Sequence, residues 1–346
     1  MSLIYVPLEH LDNRYTKHLD RDISYFFMIN DIDYIKIFPD IPSPTNFKSG
    51  SFLDSEFTIQ FKSAQMQKIA KLYRDDVIKS GDTLFFSDLW FPGIESIAYM
   101  NYFAKKDVKI TGFMHAGSFT DTDFVRDMER WAKNFEDIIF DITDKIYVGS
   151  NFIKNDIIKK RIVDKNKLIV SQLPLDIEEM KKIKIQSIDE YISPLPKISE
   201  IKLQKENIVL FCARNCDEKQ PHLFEMLEKK LGHKAKFINT QKENLSKKEY
   251  YKTLSKSKVI VSFALQENFG YAIQEACYFN VYPVLPNRLV YPEMYPKECL
   301  YDTFDQCVEL VDKILDNKIS IDSTQYIVKD NPLEVWFEDF ISRNTR

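Results

Sequence analysis

The feature that most constrains the fold is an alternation of short apolar runs with longer amphipathic stretches along most of the chain. Apolar runs of about 4–8 residues are typical of buried parallel strands, and amphipathic stretches of about 10 or more are typical of the helices between them. The pattern therefore predicts an α/β protein whose parallel sheets are covered by helices. At 346 residues the chain exceeds the usual size of one core, so two domains are expected.

The predicted elements fall into two similar halves. Strands are predicted at 2–6, 33–38, 83–87, 108–114, 144–149, 167–171, 207–213, 234–238, 258–263 and 281–285. Helices are predicted at 59–79, 94–104, 122–139, 151–161, 219–231, 246–256, 270–279, 303–317 and 332–344. Residues 184–205 lose the periodicity and contain two prolines, so we place the linker there. The predicted domains are 1–183 and 206–331, followed by a C-terminal helix at 332–346.

Composition argues against several classes of protein. A net charge of −4 and a pI near 5.9 give no overall basic character, so total charge does not indicate nucleic-acid binding. No stretch approaches the roughly 20 apolar residues of a membrane span, and no secretion signal is recognisable. The five cysteines are an odd number without metal-site spacing, which favours reduced thiols. We expect a cytoplasmic monomer without membrane contact or bound metal.

The most informative short segment is 266–276, Gln-Glu-Asn-Phe-Gly-Tyr-Ala-Ile-Gln-Glu-Ala. A strand-like run precedes it, and a helix-like run begins near Gly270. Seven residues separate Glu267, before the turn, from Glu275, which a helical wheel places opposite the apolar face. A helix N-terminus suits a phosphate or a sugar oxygen, and a carboxylate can accept hydrogen bonds from the paired hydroxyls of a ribose. The segment therefore predicts a nucleotide-sugar site.

Two cations follow an earlier strand. Arg214 comes directly after the apolar run 208–213, and Lys219 lies five residues further on. Fixed cations neutralise a diphosphate, and arginine adds bidentate geometry. An ordinary solvated pair at a strand end is the alternative, but the combination with the Glu267–Glu275 segment favours a phosphate site.

Together these motifs resemble those of retaining glycosyltransferases of the GT-B fold, particularly glycosyltransferase family four with its E-x7-E motif. The resemblance implies two Rossmann-like, doubly wound domains that face each other across a cleft. It also implies that Arg214 and Lys219 hold the diphosphate of a nucleotide-sugar donor, expected to be a UDP-sugar, and that Glu275 holds its ribose. Neither a metal nor a cofactor is implied, because the two cations replace a metal. The residues implied around the donor sugar are Glu267, Asn268, Phe269 and Gly270.

The N-terminal half offers further candidates. His115 ends a predicted strand, and a histidine at the comparable place contacts the donor sugar in the GT-B families. We therefore expect a site role for His115 and for Ser118 in the following loop; a packed or solvent-facing histidine is the alternative. The loop after the first strand lacks the glycines of many family members, and its Arg14 is expected to contact an acceptor or the phosphates. Ser150 is expected to be a helix N-cap.

The acceptor follows from two further resemblances. The segment 282–293 is similar to the corresponding stretch of enzymes that mannosylate queuosine in tRNA, whereas the N-terminal loops look like those of tailed-bacteriophage glycosyltransferases that modify hydroxymethylated pyrimidines in phage DNA. Our first expectation is transfer of glucose or arabinose to 5-hydroxymethylcytosine in phage DNA, in the cytoplasm of an infected host. The expected acceptor contacts are phosphate contacts by Lys159, Lys160 and Arg161 and stacking of a flipped base by Trp90, Phe91 or Phe119.

Three alternatives stay open. A tRNA-queuosine mannosyltransferase differs only in acceptor and donor. A transferase that builds cell-surface glycans fits the same donor site. A nucleotide-sugar epimerase shares the GT-B fold, and a protein that binds nucleotide sugar without turnover also fits. For the basic stretch around Lys159, a solvated helix face is the alternative to phosphate contact.

Overall fold

The computed structural model describes residues 1–10, 15–41, 55–123, 125–186, 205–328 and 331–344. The chain forms two compact units. The first comprises Met1–Pro174 with Asp330–Arg346, and the second comprises Leu175–Lys329. The predicted α/β class with two domains is therefore confirmed.

The helices and strands alternate along the chain. The strands are β1 (Leu3–Val6), β2 (Tyr34–Lys36), β3 (Thr83–Phe86), β4 (Lys109–Phe113), β5 (Lys145–Val148), β6 (Leu168–Val170), β7 (Glu206–Phe211), β8 (Lys236–Asn239), β9 (Ser257–Val261), β10 (Tyr282–Pro286) and β11 (Leu300–Tyr301). The helices are α1 (Thr16–Ile29), α2 (Ser55–Arg74), α3 (Glu95–Ala104), α4 (Glu129–Ile142), α5 (Asn151–Lys160), α6 (Ile177–Gln186), α7 (Pro221–Leu231), α8 (Lys247–Lys256), α9 (Tyr271–Tyr278), α10 (Tyr291–Met294), α11 (Phe304–Leu315), α12 (Pro332–Trp336) and α13 (Glu338–Asn344).

Both units contain a parallel sheet that is wound in the same way. The strand order is β2-β1-β3-β4-β5-β6 in the first unit and β11-β10-β9-β7-β8 in the second. In each unit the first strand has the second strand on one side and the third strand on the other. This reversal is the topological switch point of a doubly wound sheet, and such folds bind ligands there, beyond the carboxyl ends of the strands.

The apolar runs account for these sheets. All four residues of β1 and all four of β3 are buried. Strands that are buried on both faces require helices on both sides of the sheet. Each of the ten predicted strands overlaps an observed strand and ends within two residues of it.

Some elements were not predicted from the sequence, namely α1, α6, α10 and β11. The buried residues Leu19, Ile23, Phe26 and Phe27 of α1 follow the i, i+4, i+7, i+8 spacing of an amphipathic helix. That spacing could have identified α1. The preceding loop carries many charges, and it was interpreted as a functional loop without a helix after it.

The predicted domain boundary differs from the observed one. The first unit ends at Pro174 instead of residue 183, and the second begins at Leu175 instead of residue 206, because α6 packs against α8. Lys184 of α6 also donates a hydrogen bond to the Tyr278 carbonyl at 3.5 Å. The predicted linker 184–205 is therefore helical as far as Gln186, and 187–204 lie outside the described residues.

The predicted C-terminal helix belongs to the first unit and is broken at Phe337 into α12 and α13. The Asn331 side chain caps α12 by accepting a hydrogen bond from the Leu333 amide at 3.2 Å. Trp336 is 3% exposed, and its ring nitrogen donates to the Ser171 hydroxyl at 2.6 Å. These contacts hold the end of the chain on the sheet of the first unit.

None of the described helices has both the length and the apolar character needed to cross a membrane. All five cysteines are free thiols, and three of them are buried.

Trp336→Ala is expected to lower the free energy of unfolding of the first unit by about 3–5 kcal/mol, because it removes a buried ring and leaves the Ser171 hydroxyl without its donor. Trp131→Ala is the matched control, since its ring is 52% exposed, and it should cost less than about 1 kcal/mol. Urea titrations of both variants measure the difference. Equal costs would contradict the packing of α12 described above.

Candidate functional site

The switch point of the second unit lies between β7 and β9, and the loops after these strands are joined there. The Leu265 amide donates to the Glu218 carbonyl at 2.7 Å. Arg214 follows β7 and donates to the Glu218 carboxylate at 2.9 Å. This places the predicted diphosphate ligands at the position where doubly wound sheets bind ligands.

Lys219 and Glu267 meet at this point, as an ion pair with 3.3 Å between Lys219 Nζ and Glu267 Oε2. Lys219 is only 7% exposed, and its ammonium also donates to the Gln266 carbonyl. The second Glu267 oxygen, Oε1, accepts from the Gly270 amide at 3.0 Å. The structure therefore brings together two residues that the sequence could only place at the ends of separate strands.

Gly270 makes the turn into α9. Its φ of +83° is left-handed, which glycine adopts without strain and other residues adopt at a cost of about 1–2 kcal/mol. The side chain of Phe269 is 3% exposed and packs in the core, so only its backbone is available to a ligand. Asn268 is partly buried in the same turn.

Glu275 is buried, at 5% exposure, and not on the solvent face that the helical wheel predicted. One oxygen accepts from Lys247 Nζ at 2.7 Å and from the Tyr251 hydroxyl at 2.9 Å. The other accepts from the Tyr250 hydroxyl at 2.7 Å. Burial, together with the Glu275 charge, raises the pKa of Tyr250 well above its ordinary value, so this hydroxyl remains a donor. Sequence reasoning missed these α8 partners because they are distant in sequence from the motif.

In the first unit, His115 follows β4 and lies beside the ends of β1 and β3. Its Nε2 is 2.9 Å from the Ser87 carbonyl, which can only accept, so Nε2 carries the proton. Nδ1 then accepts from the Tyr15 hydroxyl at 3.2 Å. Burial lowers the pKa of His115 below its ordinary 6.5, and nearby Lys62 lowers it further, against the opposing effect of Asp88. His115 is therefore a neutral, oriented imidazole at the switch point of this unit.

Ser118 and Arg161 do not have the accessible positions expected for acceptor contacts. The Arg161 side chain is 1% exposed and pairs with the fully buried Glu136 at 2.8 Å. Ser118 is also fully buried, and it donates to Glu136 through its amide at 2.6 Å and its hydroxyl at 2.9 Å. Such a buried pair is costly to break, so both residues hold the loop after β4 in place. The predicted phosphate contact by Arg161 is corrected accordingly.

Most of the other residues predicted to contact the acceptor are paired with protein groups or buried. Lys160 pairs with Asp121 and with Asp156, at 2.9 Å each, while Lys159 is exposed. The Trp90 ring nitrogen donates to Glu136 at 3.2 Å. The remaining stacking candidates, Phe91 and Phe119, are 2% and 0% exposed and cannot stack on a base. Arg14 lies outside the described residues.

Two smaller expectations can be compared with the structure. Ser150 caps α5, since its hydroxyl accepts from the Ile153 amide at 3.3 Å. Within the described part of the chain, no group of three or more His, Cys, Asp or Glu side chains is arranged to hold a metal ion.

Comparison with known proteins finds a partial relative. No family model matches the chain. A tRNA-queuosine alpha-mannosyltransferase of Drosophila melanogaster is 43% identical over 95 residues, which are 28% of this chain and 24% of that protein. The match thus spans about a quarter of the relative's length.

Solved structures match nearly the whole chain. Sucrose-phosphate synthase of Thermosynechococcus elongatus has a TM-score of 0.61 at 10% identity and covers 99% of this chain and 97% of its own. The glycosyltransferase WaaG has a TM-score of 0.58 at 10% identity and covers 99% of both chains. HepE of Anabaena, in complex with UDP and glucose, has a TM-score of 0.55 at 10% identity and covers 99% and 97%. At these identities the likeness shows the fold, and the predicted GT-B fold of two Rossmann-like domains is confirmed.

The lowered pKa of His115 has a consequence for stability. Between its folded pKa and the ordinary 6.5, the unfolded chain binds more protons than the folded one. Stability should therefore fall as the pH drops below 6.5 and level off below the folded pKa. His115→Gln removes the titration and should flatten this part of the profile, whereas the exposed His222→Gln should not. Urea midpoints between about pH 5 and 8 measure both profiles. An unchanged slope in His115→Gln would mean that the ring is not held neutral.

Proposed function

We propose that the chain is a glycosyltransferase that moves a sugar from a nucleoside-diphosphate donor to a hydroxyl group on a nucleoside of a nucleic acid. The observation that carries the proposal is the Lys219–Glu267 pair at the switch point of the second unit, beside Arg214. Two positioned cations match the charge of a diphosphate. HepE has the same fold, and its structure was solved in complex with UDP and glucose. This supports a nucleotide-sugar donor.

In the proposed reaction, the bond between the anomeric carbon and the phosphate oxygen breaks, and a bond forms from that carbon to the acceptor oxygen. In the retaining course, the acceptor attacks the face from which the diphosphate leaves, and its proton passes to the leaving phosphate oxygen. Arg214 and Lys219 stabilise the charge that develops on the diphosphate. Each is now held by a carboxylate, that of Glu218 or Glu267, which phosphate oxygens replace when the donor binds. This scheme requires no metal.

Glu275 is proposed to bind the ribose of the donor. A carboxylate offers about four acceptor positions, and Lys247, Tyr250 and Tyr251 already use three. A ribose diol needs two, so one protein donor must leave. The Lys247 side chain is 44% exposed, and it is the partner that can swing into solvent most easily. Donor binding would then exchange an ammonium for a hydroxyl at Glu275.

The partial relative favours queuosine in tRNA as the acceptor and mannose as the sugar. This departs from our first expectation, 5-hydroxymethylcytosine in phage DNA with a UDP-sugar, which remains the second candidate through the likeness of the N-terminal loops. The phosphate contacts expected for the DNA candidate are reduced, because Arg161 is buried and Lys160 is paired with two aspartates.

The acceptor is tested by incubating the protein with GDP-mannose, UDP-glucose or UDP-arabinose and either queuosine-containing tRNA or DNA with 5-hydroxymethylcytosine. We expect mass spectrometry of the digested nucleosides to show a hexose on queuosine only, with GDP-mannose as donor. A sugar on 5-hydroxymethylcytosine alone would select the phage-DNA candidate. Conversion of a nucleotide sugar without any acceptor would contradict both and indicate an epimerase.

Lys219→Met is expected to lower kcat by about a hundredfold or more, because it removes a cation from the leaving diphosphate while keeping the length of the side chain. Lys229→Met is the matched control, since Lys229 is an exposed lysine of the following helix, and it should leave kcat unchanged. Initial rates and the Kd for the free nucleoside diphosphate are measured for both. A kcat like that of the wild type in Lys219→Met would refute the proposed donor site.

A further inference from the structure

The switch point of the first unit brings three strand ends together. The Ser87 amide after β3 donates to the Val6 carbonyl of β1 at 3.0 Å. The Leu89 amide donates to the Phe113 carbonyl of β4 at 2.8 Å. The loops after β1, β3 and β4 therefore leave the same edge of the sheet, where a doubly wound fold binds ligands.

Glu9, three residues after β1, is an unusual carboxylate at this edge. It is 4% exposed, and its Oε1 has no hydrogen-bond partner among the residues that the structure describes. Other buried carboxylates of this unit are paired: Asp20 with His10 and Lys36, and Glu136 with Arg161. Burying a charged group without a partner costs several kcal/mol, so the fold alone gives no reason to keep Glu9.

The backbone around Glu9 is anchored on both sides. Gln65 of α2 donates to the Pro7 carbonyl at 2.8 Å and to the Ile37 carbonyl at 2.9 Å. On the other side, the His10 ring lies 2.7 Å from the Asp20 carboxylate. Glu9 is therefore held in its buried position by its neighbours, although its Oε1 accepts no hydrogen bond from the described residues.

A buried ammonium without a carboxylate lies near the same edge. Lys62 is three residues before Gln65 and shares its helix face. It is 5% exposed and donates to the Trp90 carbonyl at 3.1 Å, with the Phe91 ring 5.3 Å away. Across the described ranges, Lys62 forms no ion pair, with Glu9 or with another carboxylate. The fold thus leaves a carboxyl group and an amino group at one edge that, among the described residues, do not pair with each other.

We propose that Glu9 and Lys62 form a binding site for the hydroxyl-bearing ring of the acceptor, with Glu9 accepting hydrogen bonds from its hydroxyls and Lys62 donating to an oxygen. A ring with neighbouring hydroxyls supplies both donors for the carboxylate and an acceptor for the ammonium. This inference rests on the proposed glycosyl transfer and assigns the acceptor side of it to the first unit. Glu9 binds and positions the acceptor, and the proton of the reacting hydroxyl still passes to the leaving phosphate.

The test compares Glu9→Gln and Lys62→Met with Glu56→Gln, which changes an exposed carboxylate at the start of α2. With GDP-mannose and queuosine-containing tRNA, Glu9→Gln should raise the KM for tRNA by about tenfold to a hundredfold, the usual effect of losing a hydrogen bond to a charged group. Lys62→Met should act in the same direction. The Kd for the nucleoside diphosphate should not change, and Glu56→Gln should behave as the wild type.

Thermal unfolding separates binding from a structural role. Because Glu9 Oε1 accepts no hydrogen bond from the described residues, Glu9→Gln should unfold at the same temperature as the wild type or higher. A KM within twofold of the wild type, or a lowered Tm with an unchanged KM, would overturn the inference and leave the proposed function standing. Failure of the wild type to transfer sugar to either tRNA or DNA with 5-hydroxymethylcytosine would overturn both.

Discussion

The winding of the two parallel sheets is the constraint on which the rest of the structure depends. In each unit the chain leaves the first strand toward one side and returns to the other, so β1 lies between β2 and β3, and β7 between β8 and β9. The loops after those strands cannot be covered by a connecting helix at the reversal, and polar side chains placed there remain near a crevice. Lys219 with Glu267, and Glu9 with His115, are the groups that the two reversals bring to the carboxyl edges.

The two units use charge differently. In the first, Arg161 and Glu136 form a pair with 1% and 0% exposure, which fixes the loop that carries Ser118. In the second, Arg214 and Glu218 are 28% and 24% exposed, and Lys219 and Glu267 are 9% and 26% exposed. A buried pair resists exchange because breaking it leaves an uncompensated charge, whereas a partly exposed pair can exchange one anion for another. The second arrangement suits the role proposed for these cations, which is to bind a diphosphate and release it.

The sequence was sufficient to predict the strands and the site residues in the loops that follow them, because these depend on local pattern. The strands were predicted because short apolar runs are typical of strands buried on both faces, and Lys219 and Glu267 were found because both lie in the loops that follow such runs. The sequence was insufficient where the burial of a side chain depends on a partner that is distant in sequence. Arg161 looked like part of a basic surface until Glu136, twenty-five residues away, was seen to bury it. Glu275 looked exposed because a helical wheel does not include the tyrosines of α8.

The number of protein donors around a buried or partly buried carboxylate separates structural groups from ligand-binding ones. Glu136 accepts from the Ser118 amide and hydroxyl, Trp90 and Arg161, which fills the approximately four acceptor positions of a carboxylate. Glu275 has three donors and Glu267 has two, Lys219 and the Gly270 amide. Glu9 Oε1 has none among the described residues. Since desolvating unused acceptor positions costs free energy, the carboxylates with the fewest protein donors gain the most from a hydroxyl-rich ligand. By this physical criterion Glu136 is part of the scaffold, whereas Glu267 and Glu9 fit the roles proposed for them, in binding a donor sugar and an acceptor.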